Sequence, residues 1–468
     1  MDNNINSALL TSLLDKERSL YSTEYALQWI REQNDKVTVH VNQIPFKELR
    51  NWGFDNLSLR HQSSKFFSID GIQVNTNYGR INSWQQPIIN QPEIGYLGIL
   101  TKEINGVLHF LMQAKIEPGN INHVQLSPTL QATKSNYSRV HQGNAPAYLA
   151  YFQQAKREDI LFDQLQSEQG ARFLKKRNRN IIIQVDGDVE VLDNFIWLTL
   201  SQIKELMKYD NVVNMDTRTV ISGIPLESGQ EISQYEDNIV KNGFSNNILW
   251  SLANESSGVN SLNDIILFIT NLKCTYELDV KQVPLSALQS WVVEESVIRH
   301  VDRKYFEIIA ADIEIDNREV VHWSQPMVKP AQEGICAFVC KEMGGVIHFV
   351  VQAKLECGNF DIIELAPTVQ CLTGSYDNPR SKEVLPFLNY VLNVNKEKVI
   401  FDTYQSEEGG RFYQEQNRSM IILAGDEIGV QLPANYIWMT YGQLQTFIKL
   451  NNYINIQARS LLSAIAFV

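Results

Sequence analysis

Residues 106–120 read GVLHFLMQAKIEPGN, and residues 345–359 read GVIHFVVQAKLECGN. Ten of the fifteen positions are identical at an offset of 239, more agreement than chance allows, so the chain is a tandem duplication. The same offset carries Pro45 onto Pro284, Trp52 onto Trp291, Arg60-His61 onto Arg299-His300, and Trp84-x-Gln86-Pro87 onto Trp323-x-Gln325-Pro326. It also carries Gln166-Ser167-Glu168 onto Gln405-Ser406-Glu407, Arg172-Phe173 onto Arg411-Phe412, and Asn178-Arg179 onto Asn417-Arg418. Two residues are then gained, and Phe195-Ile196-Trp197 meets Tyr436-Ile437-Trp438. The period far exceeds that of solenoid repeats, so each copy is expected to be a domain with its own core. The division expected is a tail over 1–20, a first repeat over 21–222, a polar acidic linker over 223–257, and a second repeat over 258–468.

The 468 residues are 44% hydrophobic and 20% charged, the balance of a globular chain able to bury large cores. A net charge of −12 disfavours nucleic acid as a partner, and an anionic ligand must be met by a few local bases. Residues 1–20 lack the apolar core of a secretory signal and no stretch is long and apolar enough for a membrane span, so a cytoplasmic location away from the membrane is expected. The five cysteines all fall in the second half, without zinc-type spacing, and read as small buried thiols.

Within a copy, helical periodicity (Tyr25, Leu27, Trp29, Ile30) precedes strand patterns over Lys65–Val74, Ile94–Thr101, Val107–Ile116 and His123–Thr129. Helical stretches follow near Ala145–Arg157 and Leu198–Lys208, which makes the fold class α+β. Alternation along the strand from Val107 places His109, Gln113, Lys115 and Glu117 on one face, opposite Leu108, Phe110, Met112 and Ala114. The next strand turns Gln125, Ser127, Thr129 and Gln131 outward in the same way. Such a surface suits either a solvated sheet face or a lined cleft. Its recurrence as His348, Gln352, Lys354 and Glu356 favours the cleft, although a shared folding requirement would produce the same recurrence. Arg172 and Arg179, repeated as Arg411 and Arg418, offer planar forks for a diphosphate. Trp84 suits stacking on a base or sugar, or plain core packing. Neither a dinucleotide fingerprint nor a Walker loop is present.

Trp84-Gln85-Gln86-Pro87-Ile88, Gln113-Ala114-Lys115-x-Glu117-Pro118-Gly119-Asn120, Gln125-Leu126-Ser127-Pro128-Thr129 and Gln166-Ser167-Glu168-Gln169-Gly170-x-Arg172-Phe173 resemble the NDP-hexose 2,3-dehydratases of deoxysugar pathways. The resemblance covers both copies. It implies two tandemly duplicated Nudix-like domains, a homodimer, and a dTDP-linked 4-keto-6-deoxyhexose as substrate. It also implies a diketo product used by a separate ketoreductase, and one catalytic pocket of the two. The Nudix signature itself is eroded: Asp163–Gly170 keeps one of three core glutamates, too few for the usual Mg²⁺ site. No metal and no cofactor are expected.

The chemistry implied is elimination next to a carbonyl, which needs a base, an acid for the departing hydroxyl, and a donor to the enolate oxygen. Lys115 is the candidate base or enolate cation, Glu117 or His109 the acid, and Tyr137 the donor. Trp84, Gln86, Gln113, Asn120, Ser127, Thr129, Gln131, Arg172 and Arg179 are the candidate substrate contacts. His348, Gln352, Lys354, Glu356, Arg411 and Arg418 would form the second pocket. The first copy is the expected catalytic one, because Ser127, Asn136 and His141 become Ala366, Ser375 and Arg380. Against this, Gln125 becomes Glu364, an added carboxylate. A non-catalytic nucleotide-sugar binder and a Nudix-type hydrolase are the alternatives.

Overall fold

A computed structural model describes residues 3–134, 145–224, 226, 243–253, 258–316, 320–372 and 385–466. The first half opens with helices α1 (Asn3–Leu14) and α2 (Thr23–Asp35). Strands β1 (Val39–Ile44), β2 (Trp52–Phe54), β3 (Ser58–His61), β4 (Ser68–Thr76) and β5 (Ser83–Asn90) come next. Then follow β6 (Gly95–Ile104), β7 (Val107–Ile116), β8 (Val124–Ser127), β9 (Leu130–Ala132) and α3 (Leu149–Gln154). β10 (Ile160–Ser167), β11 (Arg177–Gln184), β12 (Phe195–Thr199), α4 (Leu200–Leu206) and α5 (Met215–Ser222) complete it.

The second half repeats the order: α6 (Gly243–Ala253), α7 (Leu262–Thr275), β13 (Leu278–Val283), β14 (Trp291–Val293), β15 (Val297–His300), β16 (Phe306–Ile315) and β17 (His322–Pro330). β18 (Gly334–Met343), β19 (Val346–Lys354), β20 (Glu364–Ala366), β21 (Val369–Leu372) and α8 (Leu388–Leu392) continue it. It closes with β22 (Val399–Ser406), β23 (Gln416–Ala424), β24 (Tyr436–Thr440), α9 (Tyr441–Ile448) and α10 (Ile456–Ser463). The expected α+β class and the strand patterns stand.

Each half carries a seven-stranded mixed sheet. In the first, β10-β11-β6-β7-β12 are neighbours, with β11 and β6 parallel; in the second, β22-β23-β18-β19-β24 are arranged alike. The two sheets enclose one shared layer of helices. Phe110 and Met112 of one sheet and Phe349 and Val351 of the other pack into a single core with Ile203, Val220, Phe447 and Leu461. A second core covers the opposite face of the first sheet, with Leu111, Phe152, Ile181 and Trp197. The middle of β7 is therefore buried on both faces, and its polar side is no open surface.

The halves are not separate domains. β1 pairs antiparallel with β16, running from Val39 opposite Ile315 to Ile44 opposite Ala310. Reciprocally, β13 pairs with β4, from Leu278 opposite Thr76 to Val283 opposite Gly71. Each small sheet thus takes its edge strand from the other repeat, contrary to the expectation of two independent cores. The described helices of the expected tail and linker also pack with the repeats. α1 buries Leu9, Leu10 and Leu13, and α6 buries Ile248, Leu249 and Leu252 in the same core. Ser12, at the position matching Ser251, accepts from Leu200 N–H at 2.9 Å, as Ser251 accepts from Gly442 N–H at 3.3 Å.

A crossed pair of loops completes the joint. Gly119 N–H donates to Gly409 O at 2.7 Å and Gln414 N–H returns to Gly119 O at 2.7 Å, while Gly358 and Gly170 repeat the arrangement. A Cβ built on Gly119 would stand 1.6 Å from Phe412 O, and one on Gly358 1.8 Å from Phe173 O. Only glycine permits this approach, which explains its presence in both copies of the quoted motif. Gly119→Ala is expected to destabilise by about 3 kcal/mol or more through forced backbone displacement, read as a lowered denaturation midpoint. Gly53→Ala, with nothing within 4 Å of its Cβ, serves as the neutral control.

Candidate active site

A cavity of about 1070 Å³ lies at the joint of the two repeats. The inner wall is built by the first repeat: Lys115 at the end of β7, Glu117 just beyond it, Gln131 on β9, Lys176 and Asn178 by β11, and Asp216 on α5. The second repeat supplies Trp323, Ser324 and Gln325 from β17, and Glu408, Gly410 and Arg411 from the loop that docks on Gly119. Arg50 and Lys65 stand exposed on the lining, with His61, Phe66 and His322 among the rings.

Gln131 is fixed by its neighbours. Its Oε1 accepts from Ser127 Oγ at 2.9 Å and Asn214 Nδ2 at 3.1 Å, so its Nε2 must donate to Glu117 Oε1, at 2.8 Å. Glu117 is 4% exposed, and its Oε2 has no hydrogen-bond partner. A buried carboxylate oxygen without a partner, on a side chain that lines a cavity, calls for an explanation that a bound ligand would supply. Asn214 also caps α5 by accepting from Thr217 N–H, which sets Asp216 in the first helical turn. A helix N-terminus favours an anion by about 0.3–1 kcal/mol. Burial outweighs that here: desolvation first, then the like charges of Glu408, Glu117 and Glu168, raise the Asp216 carboxyl well above its ordinary range, with Lys115 opposing.

Glu408 is pushed up to about 8, by burial and then by Glu117, while Arg411 acts in the opposite direction. Its Oε1 accepts from Gly410 N–H at 3.0 Å. A Cβ on Gly410 would lie 2.2 Å from Glu408 Oε1 and 3.6 Å from Glu117 Oε1, so the two carboxyls converge over that glycine. Glu168, held by Asn178 Nδ2 at 3.0 Å, is also raised by burial, against Arg459 and Lys176. Lys176 donates to Glu93 O, and burial lowers its ammonium. The cavity lining therefore combines carboxyl groups of raised proton affinity, Glu408 at about 8, with the cations Lys115, Lys176 and Arg411.

Of the candidate residues, Lys115, Glu117 and Gln131 meet here, joined by Arg411 from the group assigned to the second pocket. The exchange follows the crossed loops. Arg411 packs its guanidinium 4.3 Å from the Phe67 ring of the first repeat, and Arg172 sits 4.1 Å from Phe306 of the second. By the same crossing Trp323 and Gln325 line the cavity, whereas Trp84 donates to Gln86 Oε1 at 2.9 Å and packs beside Cys357. Gln86 donates to Ala171 O at 3.1 Å.

Other candidates are engaged within the fold. His109 is fully buried away from the cavity lining; its Nδ1–H donates to Val107 O at 2.9 Å and its Nε2 accepts from Leu20 N–H at 3.3 Å. His348 does the same with Val346 O at 3.0 Å and Val259 N–H at 3.1 Å. Both fasten the chain just ahead of a repeat's opening helix, a folding requirement shared by the copies. Arg179 forms a fork with Asp163 at 2.8 and 2.6 Å, as Arg418 does with Asp402. Thr129 accepts from Leu100 N–H at 2.9 Å, and Asn120 donates to His123 O at 3.0 Å. Gln113 lies mid-sheet between Ser127 and Phe195, as Gln352 lies between Ala366 and Tyr436. Gln125 and Glu364 accept across the joint, from Ser406 Oγ at 2.7 Å and Ser167 Oγ at 2.8 Å. Tyr137, Asn136 and His141 lie outside the described residues, as do Ser375 and Arg380.

In the second half, the counterparts of Leu97, Glu168, Asn178 and Asp216 border only a small space. Cys336, Glu407, Asn417 and Gln457 surround about 10 Å³, roughly one water's space. Lys354 donates to Gln370 O at 2.7 Å, and Gln370 Nε2 donates to Glu356 Oε1 at 3.0 Å. The partners of Asp216 and Glu408 are the amides Gln457 and Gln169. Strand alternation missed both acids, since neither lies on a strand, but this acid-to-amide difference between the copies was visible in the sequence.

A deep cavity lined by proton-holding carboxyls, lysines and orienting amides is the equipment of an acid–base enzyme acting on a polar small molecule. The chain belongs to the NDP-hexose 2,3-dehydratase family, whose model matches residues 23–224 and again 262–465. A Saccharopolyspora spinosa protein named dTDP-4-dehydro-6-deoxy-alpha-D-glucopyranose 2,3-dehydratase is 44% identical over 444 residues, 93% of this chain and 90% of that protein. Proteins of the same name from Amycolatopsis orientalis and Streptomyces violaceoruber are 39% and 40% identical, over 95% and 93% of this chain and 90% and 95% of theirs.

The buried imidazoles give a pH signature. Burial lowers both His109 and His348, so the unfolded chain binds protons first as pH falls below about 6.5. Their contribution is complete above that value and is lost as pH drops toward the folded-state pKa. The raised carboxyls of the joint contribute with the opposite sign in this range, so the histidine share is read as a difference between proteins. His109→Phe is expected to cost about 1–3 kcal/mol at pH 7 through the unpaired Leu20 N–H, and the gap from wild type in urea unfolding free energy is expected to shrink between pH 7 and 5.

Proposed function

We propose that this protein eliminates water across C2 and C3 of dTDP-4-keto-6-deoxy-D-glucose, giving the dTDP-3,4-diketo-2,6-dideoxyhexose. The observation that carries the reading is the meeting of Lys115, Glu117, Asp216 and Glu408 on the lining of one cavity. The names of the relatives point to the same reaction. The 4-keto group acidifies C3–H; its removal gives an enolate that expels the C2 hydroxyl, and the resulting enol tautomerises to the diketone. No net redox change occurs.

Glu117, expected from sequence as an acid, is better suited as the base, because Gln131 donates to one carboxylate oxygen and leaves the other open. Lys115 supplies the cation beside the enolate oxygen. Arg50, Lys65 and Arg411 replace Arg172 and Arg179 as the diphosphate donors, and Trp323 replaces Trp84 as the ring for base or sugar. The reading carries with it a Nudix-like ancestry for each half, a homodimer, a cytoplasmic location and a ketoreductase acting on the product. No helix among the described residues is long and apolar enough to cross a membrane.

The test is incubation with dTDP-4-keto-6-deoxyglucose and a ketoreductase, with mass spectrometry for loss of one water and gain of two hydrogens. Lys115→Ala is expected to lower turnover by about 10²-fold or more, with Lys354→Ala near wild type; the opposite pattern moves the site to the second half. Binding without turnover would indicate a carrier of nucleotide sugars, and Mg²⁺-dependent release of a nucleoside monophosphate a hydrolase.

A further inference from the structure

We propose that Glu408, lent by the second repeat, is the acid that protonates the departing C2 hydroxyl in the first repeat's cavity, with Asp216 as its positioning partner. This deepens the proposed dehydration and rests on it. Glu408 and Asp216 line the same cavity as Glu117 and Lys115. Glu408 is oriented by the Gly410 N–H, and its carboxyl converges with Glu117 over Gly410. A Cβ at residue 410 would meet Glu408 Oε1 in this position; the counterpart of Gly410 in the other repeat is Ala171. The open Oε2 of the buried Glu117 marks the same spot as a place for a ligand.

The internal comparison supplies an independent argument. In the other repeat the two corresponding positions are the amides Gln169 and Gln457, and Gln457 borders a space of only about 10 Å³. An amide keeps the shape and hydrogen bonds of a carboxyl but cannot deliver a proton. The large cavity alone has acids at both places. The groups facing the pair are Glu117, Glu168, Lys115, Lys176 and Arg411. Burial and the like charges raise both carboxyls, Glu408 to about 8, which favours the protonated form in which an acid is useful.

Bonds balance without a co-reactant. Glu117 takes the C3 proton, the electrons of C3–H become the C2=C3 bond, and C2–O breaks as the Glu408 O–H proton moves to the oxygen. Water leaves, Glu408 remains as carboxylate, and the proton on Glu117 returns through solvent to restore both groups.

The test is Glu408→Gln, an exchange the fold already accepts at Gln169. In D₂O with dTDP-4-keto-6-deoxyglucose, kcat for dehydration is expected to fall about 10²- to 10⁴-fold. Deuterium should still enter C3, and the 2-deoxy-2-fluoro analogue, whose leaving group needs no proton, should still turn over. Asp216→Asn should move the alkaline limb of kcat/KM to lower pH, because the two carboxyls titrate together. Loss of C3 exchange with dehydration, or unimpaired dehydration, in the Glu408→Gln enzyme overturns the assignment. If the wild-type protein neither dehydrates nor exchanges C3, the underlying function fails instead.

Discussion

The backbone ladder between β1 and β16, with its reciprocal between β13 and β4, is the constraint on which the molecule rests. An edge strand is normally a liability, a row of unpaired donors and acceptors. Here each repeat resolves the other's edge, and the crossed loops at Gly119 and Gly358 lock the same joint from a second side. Once the exchange is fixed, residues 408–411 have nowhere to lie except against Glu117, and the cavity becomes a property of the pair.

Around this near-symmetric frame the chemistry is asymmetric. Orienting amides persist in both halves: Gln131 and Gln370 donate to Glu117 and Glu356, and Asn214 and Asn455 brace them. Lys115, Glu117 and Glu168 recur as well, as Lys354, Glu356 and Glu407, but three ionisable positions differ. Lys176 corresponds to Glu415, Asp216 to Gln457 and Glu408 to Gln169. Scaffolding, one lysine and two carboxyls are shared, and the acids at 216 and 408 belong to one cavity alone.

The sequence made the duplication, the α+β class and most central strands legible, because apolar alternation along β6 and β7 depends on burial that local pattern records. It also indicated Lys115, Glu117 and Gln131. Sequence pattern does not show which side of a strand has a second layer over it. His109 lies on the same side of β7 as Lys115, yet a core covers that side until the strand's last residues. The edge exchange was hidden too, since β1 alternates alike whichever repeat it joins. Recurrence between copies misled for a physical reason: a histidine that fastens an entering chain and an arginine fork on a sheet recur as faithfully as any ligand contact. Difference between copies was the more informative signal.

The loop lent across the joint has one more consequence. In an assembly of two identical chains, every residue contributed to a neighbour's cavity appears in both cavities, so an acid in one place and an amide in the other are impossible. Joining the repeats in a single polypeptide removes that equivalence. Position 408 can then specialise while position 169 is released, and two halves of one chain take up different tasks.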